Sequence, residues 1–157
     1  MAYEVESETI LNSITSLLRS VFSTTEIPNI YKDFIVQGVT QPCIVVKQED
    51  LTDYRQMVPH HSLRYMVDIR FHPSKKNQRY EEWGRQVAYK ALQALQSGLS
   101  VFNQKIHFTS TEMSVIDEVT HLLLVFSFFV IEQPDEEEEM ETLDLTVNLK
   151  YEFNKEV

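Results

Sequence analysis

The sequence has few of the residues on which several common chemistries depend. Its 157 residues include one cysteine, Cys43, and three glycines. One thiol cannot form an internal disulfide, so the chain is not a secreted disulfide scaffold. Gly38, Gly84 and Gly98 are too dispersed for a phosphate-binding loop or a dinucleotide fingerprint, because both need clustered backbone N–H groups. We therefore expect no nucleotide cofactor.

The histidines and cysteine give no catalytic or metal-binding pattern. There is no His-Glu-x-x-His motif and no second cysteine for a thiolate zinc site. The adjacent His60 and His61 would point apart in a strand, which is poor geometry for two ligands of one metal. No Gly-x-Ser-x-Gly motif occurs, and Cys43 is better interpreted as a small buried hydrophobic residue. We expect no metal, no cofactor and no enzymatic activity.

Basic residues are also scarce. The chain has 14 Lys and Arg against 24 Asp and Glu, for a formal net charge of −10, and eight of the acids lie in residues 132–144. The chain is nowhere broadly basic, so sequence-specific nucleic acid binding is not expected. No apolar run approaches the ~20 residues of a membrane-spanning helix, and the acidic N-terminus is unlike a signal peptide. We expect a soluble protein made in a cytoplasm.

Strict alternation over residues 62–73 predicts a central strand. In an extended chain this pattern places one apolar face against a core and a mostly polar face outward. Pro73 ends the strand because it has no N–H for a sheet ladder. The apolar runs at residues 43–47 and 119–131 predict strands buried on both faces. The apolar residues of the central strand are Leu63, Tyr65, Val67, Ile69 and Phe71.

Two segments have helical spacing. Residues 10–22 predict a helix that covers a sheet, with Ser7 as its N-cap. Residues 80–95 predict a second helix, with Gly98 as its C-terminal cap. The polar residues 48–61 predict a long loop. The fold class predicted is α+β, with a mixed, mostly antiparallel sheet and two main helices packed on one face.

The C-terminal part begins with a like-charge run that predicts a solvated loop at residues 132–141. The alternatives are docking to a basic partner, or a negative wall along a channel through which DNA passes. Alternation then predicts a strand within residues 142–157, which pairs with its own sheet or with a neighbouring subunit. The remaining residues, 1–131, form one α+β domain. The acidic residues are Asp135, Glu136, Glu137, Glu138 and Glu139, and the alternating apolar residues are Leu143, Leu145, Val147, Leu149, Tyr151 and Phe153.

Four segments carry a family resemblance: residues 37–46, with Gln-Gly and Pro-Cys-Ile-Val-Val; residues 64–73, Arg-Tyr-Met-Val-Asp-Ile-Arg-Phe-His-Pro; residues 87–92; and residues 113–122. Over roughly residues 8–131 the chain resembles the tail terminator proteins of long-tailed phages and phage-like particles, in the version found in prophages of Gram-positive bacteria. The pattern is structural rather than catalytic.

The resemblance implies a hexameric ring on the last ring of the tail tube. Such a ring stops tube polymerisation, joins the tail to the neck proteins and, in a contractile tail, meets the sheath. It implies a virion protein at the tail-neck junction that assembles in the host bacterial cytoplasm. The alternatives are a neck or head-completion connector protein, a tail assembly chaperone, or a small intracellular enzyme or regulator.

We expect residues 48–61 to order on the tube and, with the basic turn that follows the central strand, to form the tube or neck interface. The acidic loop would face the lumen or a partner, and residues 142–157 would reach a neighbouring subunit. The interface candidates are Asp50, Asp53, Tyr54, Arg55, His60, His61, Lys75 and Lys76.

Overall fold

A computed structural model of the chain describes residues 2–33, 41–55, 60–101 and 104–131. They form two helices and seven strands. In chain order the elements are α1 (Ala2–Val21), β1 (Asn29–Lys32), β2 (Cys43–Arg55), β3 (His60–His72), α2 (Tyr80–Gly98), β4 (Ser100–Val101), β5 (Gln104–Lys105), β6 (Phe108–Ile116) and β7 (Val119–Ile131).

Five strands form one mixed sheet in the order β1-β2-β3-β7-β6. β1 is parallel to β2, and the other neighbours are antiparallel. β4 and β5 form a separate two-stranded sheet. β3 lies in the middle and pairs over twelve residues with each neighbour. The predicted α+β class and the predicted central strand are both confirmed.

One hydrophobic core joins both helices to one face of the sheet. The alternating apolar residues of β3 are fully buried, and the same core includes Ile14 and Leu18 of α1 and Ala91 and Leu95 of α2. Tyr65 stacks on Phe126 of β7 with ring centroids 5.7 Å apart. Full burial of a large apolar side chain contributes about 1.5–3 kcal/mol. The alternation therefore fixes which sheet face the helices cover.

An arginine closes the end of α1. The guanidinium of Arg19 donates hydrogen bonds to the carbonyl oxygens of Phe22 (3.2 Å), Ile27 (2.7 Å) and Pro28 (3.3 Å). Carbonyls at a helix C-terminus lack intrahelical donors, and a cation there is also favoured by the helix dipole. This contact holds the connection to β1 against the helix.

α2 comes very close to the sheet at Gly84. A Cβ added there would lie 1.8 Å from Oγ1 of Thr120, on β7. No side chain fits in that space, because real Cβ atoms essentially never come within 3.0 Å of another heavy atom. Glycine at this position therefore lets the helix backbone lie directly on β7.

The predicted loop at residues 48–61 is wrong. Most of it belongs to β2 and β3, and only residues 56–59 separate the two strands. The pairing of β2 with β3 shifts between Gln48 and Asp50, which marks a bulge. An extra residue in one strand interrupts the period-two alternation. The strand signal of β2 is therefore lost after Lys47, where charged residues also begin.

Two predicted helix caps are also wrong. α1 begins at Ala2, so Ser7 lies inside the helix, because glutamates are good helix formers and are favoured near a helix N-terminus. Gly98 is the last residue of α2 rather than its cap. Leu99 is the C-cap, with extended backbone (φ −75°, ψ 116°) and an N–H that donates to the Leu95 carbonyl. No left-handed residue is needed there.

Candidate assembly surfaces

Opposite the helices, the sheet has a face that we call the far face, and it carries a charged cluster. Oδ2 of Asp68 accepts a hydrogen bond from Nε of Arg70 at 2.9 Å and lies 2.9 Å from Nδ1 of His121. Nη2 of Arg70 donates to Oε1 of Glu49 at 3.0 Å. Asp68 is only 6% exposed. The hydrogen bond to Asp68 raises the pKa of Arg70. The cluster links β2, β3 and β7.

Cys43 and His72 are register partners at one end of β2 and β3. Burial raises the pKa of the Cys43 thiol. Burial also lowers the pKa of His72, and the charges of Arg70 and His121 lower it further. Both shifts favour neutral side chains, whereas a reactive cysteine needs a thiolate beside a protonated base. This pair is therefore not poised for nucleophilic catalysis.

Acidification is expected to destabilise the protein through His72. Burial holds its folded-state pKa below the ordinary histidine pKa of about 6.5, so the unfolded chain binds a proton more readily. The stabilisation is present above about pH 6.5 and is lost as the pH falls through the folded-state pKa. Urea unfolding at pH 7 and pH 5 should show a smaller loss of stability in His72→Gln than in the wild type. The control His107→Gln, at an exposed position, should keep the wild-type loss, and equal losses in all three proteins would contradict the prediction.

The structure separates the residues predicted as one tube or neck interface. Five lie at the end of β2 and the start of β3, at one end of the sheet. Asp50 pairs with Met66, in the middle of β3. Two lysines lie in a turn after His72, the other end of β3. A strand of thirteen residues spans about 40 Å. The groups are Asp53, Tyr54, Arg55, His60 and His61 at the first end, and Lys75 and Lys76 at the second.

Exposed groups are present at both ends. Tyr54, at the first end, is 52% exposed. Asp50, opposite the middle of β3, is also exposed and accepts a hydrogen bond from the Leu51 N–H at 2.9 Å. At the other end the Asn77 N–H donates to the Ser74 carbonyl at 2.9 Å, which closes the turn that exposes both lysines. The acidic loop and the C-terminal strand, with all eleven of their candidate residues, lie outside the described residues.

Sequence reasoning missed two exposed apolar residues beside the turn between β6 and β7. Val115 is 40% exposed and Ile116 is 55% exposed. The turn residues Asp117 and Glu118 both have positive φ, 49° and 67°, as the central residues of a type I′ hairpin turn do. The sequence predicted the Asp-Glu turn but not the exposure of its apolar neighbours. That exposure depends on the sheet order, in which β6 has a partner on one side only among the described strands.

An open groove of about 550 Å³ lies where α1 meets the end of α2. Polar side chains that do not titrate near neutral pH line most of it, including Asn12, Ser13 and Ser100. Within the described ranges, no three His, Cys, Asp or Glu residues come together in a way that could hold a metal. No helix among those ranges is both long and apolar enough to cross a membrane.

Comparison with known proteins gives a family assignment. No curated protein matches the chain. A family model described as phage tail terminator protein matches residues 9–138, which is most of the chain, and this match confirms the resemblance inferred from the sequence. The chain therefore belongs to the phage tail terminator family, whose members are structural proteins of the virion tail that interact with other tail proteins.

Proposed function

We propose that the protein forms a ring, a hexamer as the family resemblance implies, that caps the tail tube, stops its polymerisation and joins it to the neck. The observation that carries this is the presence of exposed contact groups at both ends of β3, Tyr54 at one end and Lys75 and Lys76 at the other. Tyr54 pairs with Ser62, which lies about 33 Å along β3 from His72, the residue before the turn. A subunit between tube and neck must contact two partners at once, and this separation suits that task.

The two ends differ in chemistry, which favours two different partners. Tyrosine is enriched at protein interfaces, because it combines a large apolar ring with a hydroxyl group. The two lysines favour an acidic partner surface, and such complementarity sets orientation and association rate more than affinity. We propose that one end contacts the tail tube and the other contacts the neck proteins at the tail-neck junction. In a contractile tail the ring also meets the sheath.

Residues 1–131, 132–141 and 142–157 are proposed as three functional parts. The first is the α+β domain that carries both contact ends. The acidic segment faces the lumen or a partner, where its negative charge repels phosphates of passing DNA. The last segment pairs with a neighbouring subunit. A neck connector is the second candidate, because a protein between tail and capsid also needs two contact ends.

The proposal is tested by measuring tail lengths, by negative-stain electron microscopy, in particles assembled without this protein. Overlong or irregular tubes are expected, because nothing would stop polymerisation. Normal-length tails that fail to join heads would assign the protein to the neck instead. Intact particles would contradict both functions and favour a small enzyme or regulator. Restoring the wild-type protein should restore normal tails.

Complementation with variants separates the two ends in the same assay. Tyr54→Ser and the double change Lys75→Glu with Lys76→Glu should fail in different ways: one gives overlong tubes, and the other gives capped tails without heads. Tyr89→Ser is the matched control for the tyrosine, since Tyr89 is 59% exposed on α2. Lys105→Glu, at an exposed position in β5, is the control for the charge change. Identical defects from both end variants would contradict the two-ended arrangement.

A further inference from the structure

Three stretches of strand edge have no strand partner among the described residues: the outer edge of β1, the part of β2 beyond Val46, and the outer edge of β6. The first is only four residues long, and a very short edge strand is a poor template for pairing. β1 pairs with β2 only along residues 43–46, so the rest of the β2 edge has no strand beside it among the described residues. At the other side of the sheet β6 pairs with β7 alone. Unpaired strand edges are templates for pairing with another chain, and proteins protect those not used for that purpose with charges, prolines or bulges.

The β2 edge carries such protection. A bulge lies between Gln48 and Asp50, and the strand beyond Val46 contains five charged residues within nine positions. A bulge twists the edge away from a would-be partner strand, and charged side chains must be desolvated before pairing. This edge is therefore poorly suited to accept a further strand.

The β6 edge lacks this protection along most of its length. From Ser110 to Ile116 it pairs with β7 in regular register, after a single irregularity at its start. Its nine residues include one charged residue, Glu112, and neither lysine nor proline. Val115 and Ile116 are exposed near its end. A regular, nearly uncharged edge with exposed apolar side chains is what an edge used for pairing looks like.

The core is also incompletely covered beside β6. Phe108 and Met113 are only partly buried, although both pack against the core that the helices cover. An added strand with apolar residues on that face would extend the core over them. The alternating segment from Leu143 to Phe153 has this pattern, with six apolar residues alternating with polar ones. Its eleven residues are enough to pair with all nine residues of β6.

We propose that the β6 edge accepts residues 143–153 of a second copy of this chain as an additional antiparallel strand. The proposal rests on the ring described above and names the edge through which neighbouring subunits join. Each subunit would donate its terminal strand to one neighbour and accept one from the other, which is a heterologous contact that closes into a ring.

The length of the connection favours a second copy as the donor. Ile131 pairs with His60, at the end of the sheet where β6 begins. To run antiparallel to β6 in its own subunit, the chain would first have to return along β7, about 40 Å for twelve residue steps. The twelve steps from Ile131 to Leu143 span at most about 40–43 Å, so the connection would have to be fully extended. A strand from the same subunit reaches β6 with a relaxed connection only in parallel, which is the slightly less stable pairing.

Disulfide cross-linking between differently tagged full-length copies tests this. One copy carries Glu112→Cys, and the other carries Asp144→Cys, Asn148→Cys or Glu152→Cys in turn, because the pairing register is open. Directly opposed Cβ atoms in paired strands lie about 4.5–5.5 Å apart, close enough for a disulfide after small adjustments. Asp50→Cys, at an exposed position on the β2 edge, replaces Glu112→Cys in the matched control. Cys43 is fully buried and stays unchanged.

A cross-link between copies at position 112, absent with the position 50 control, is the expected result. A cross-link through position 50 instead would overturn the choice of edge. If one chain carrying both cysteines cross-links internally and mixed copies give no product, the donor is the same subunit and the proposal fails. If rings form and tails have the wild-type length but no cross-link appears, this inference is overturned and the proposed function stands. The tail lengths of particles assembled without the protein test the proposed function separately, so the two failures can be told apart.

Discussion

Asp68→Ala is expected to lower the free energy of unfolding by about 2–4 kcal/mol, the largest single effect among the polar residues of the far face. Removal of the carboxylate leaves Arg70 and His121 without the acceptor that lies 2.9 Å from each. Breaking a buried ion pair from one side costs about 3–5 kcal/mol. The expected value is lower here because the Arg70 side chain is 32% exposed and water replaces part of the interaction.

The matched control is Glu49→Ala, which removes the other carboxylate bound to Arg70. The Glu49 side chain is 31% exposed, and half-exposed ion pairs contribute about 0–1 kcal/mol. Urea unfolding monitored by circular dichroism at pH 7 compares the two variants. Equal losses for Asp68→Ala and Glu49→Ala would show that the interaction with His121 and the burial of Asp68 contribute nothing.

Gly84→Ala is expected to destabilise the protein by about 1–3 kcal/mol, although alanine is the better helix former. The added Cβ would lie 1.8 Å from Oγ1 and 2.8 Å from Cβ of Thr120. The second contact involves an atom fixed to the β7 backbone, so rotation of the threonine cannot relieve it. The helix must move away from the sheet, and this separates Val87 and Ala88 from the core.

Gly98→Ala in the same helix is the control. Its Cβ would meet only the side chain of Leu17, with Cδ1 at 3.6 Å and Cδ2 at 4.0 Å, which are ordinary van der Waals contacts. This change should be neutral or stabilise the protein by up to about 1 kcal/mol, the usual advantage of alanine over glycine in a helix. The unfolding temperatures of the two variants and the wild type test this prediction. A higher unfolding temperature for Gly84→Ala than for the wild type would contradict a close contact between helix and sheet at this position.

The sequence predicted those elements whose periodicity is unbroken. The alternation of residues 62–73 identified β3 as the central strand, and the helical spacing of residues 80–95 identified α2, because burial of one face dictates both patterns. The second half of β2 was missed because a bulge shifts the register at Glu49. A sequence pattern read with a fixed period cannot include such an inserted residue.

The functional surfaces were less predictable than the fold. The resemblance to tail terminators gave the family, but the choice of contact residues grouped Tyr54 with Lys75 and Lys76, which lie at opposite ends of β3. Their separation depends on residues 50–55 being strand rather than loop. The β6 edge was not predicted as a contact, because whether a strand has a second neighbour is a property of the sheet order and not of local sequence.

The pairing of β3 has a mechanical consequence. Its two ends lie beside the two proposed contact groups, Tyr54 on β2 and the lysines of the turn after His72, and along its length it is held by twelve residue pairs on each side. Hydrogen bonds between antiparallel strands run perpendicular to the strand direction, so a pull on the two ends loads these ladders in shear, with many bonds sharing the force. β3 therefore resists stretching, and a force applied at one end of the subunit is transmitted to the other end with little extension of the strand.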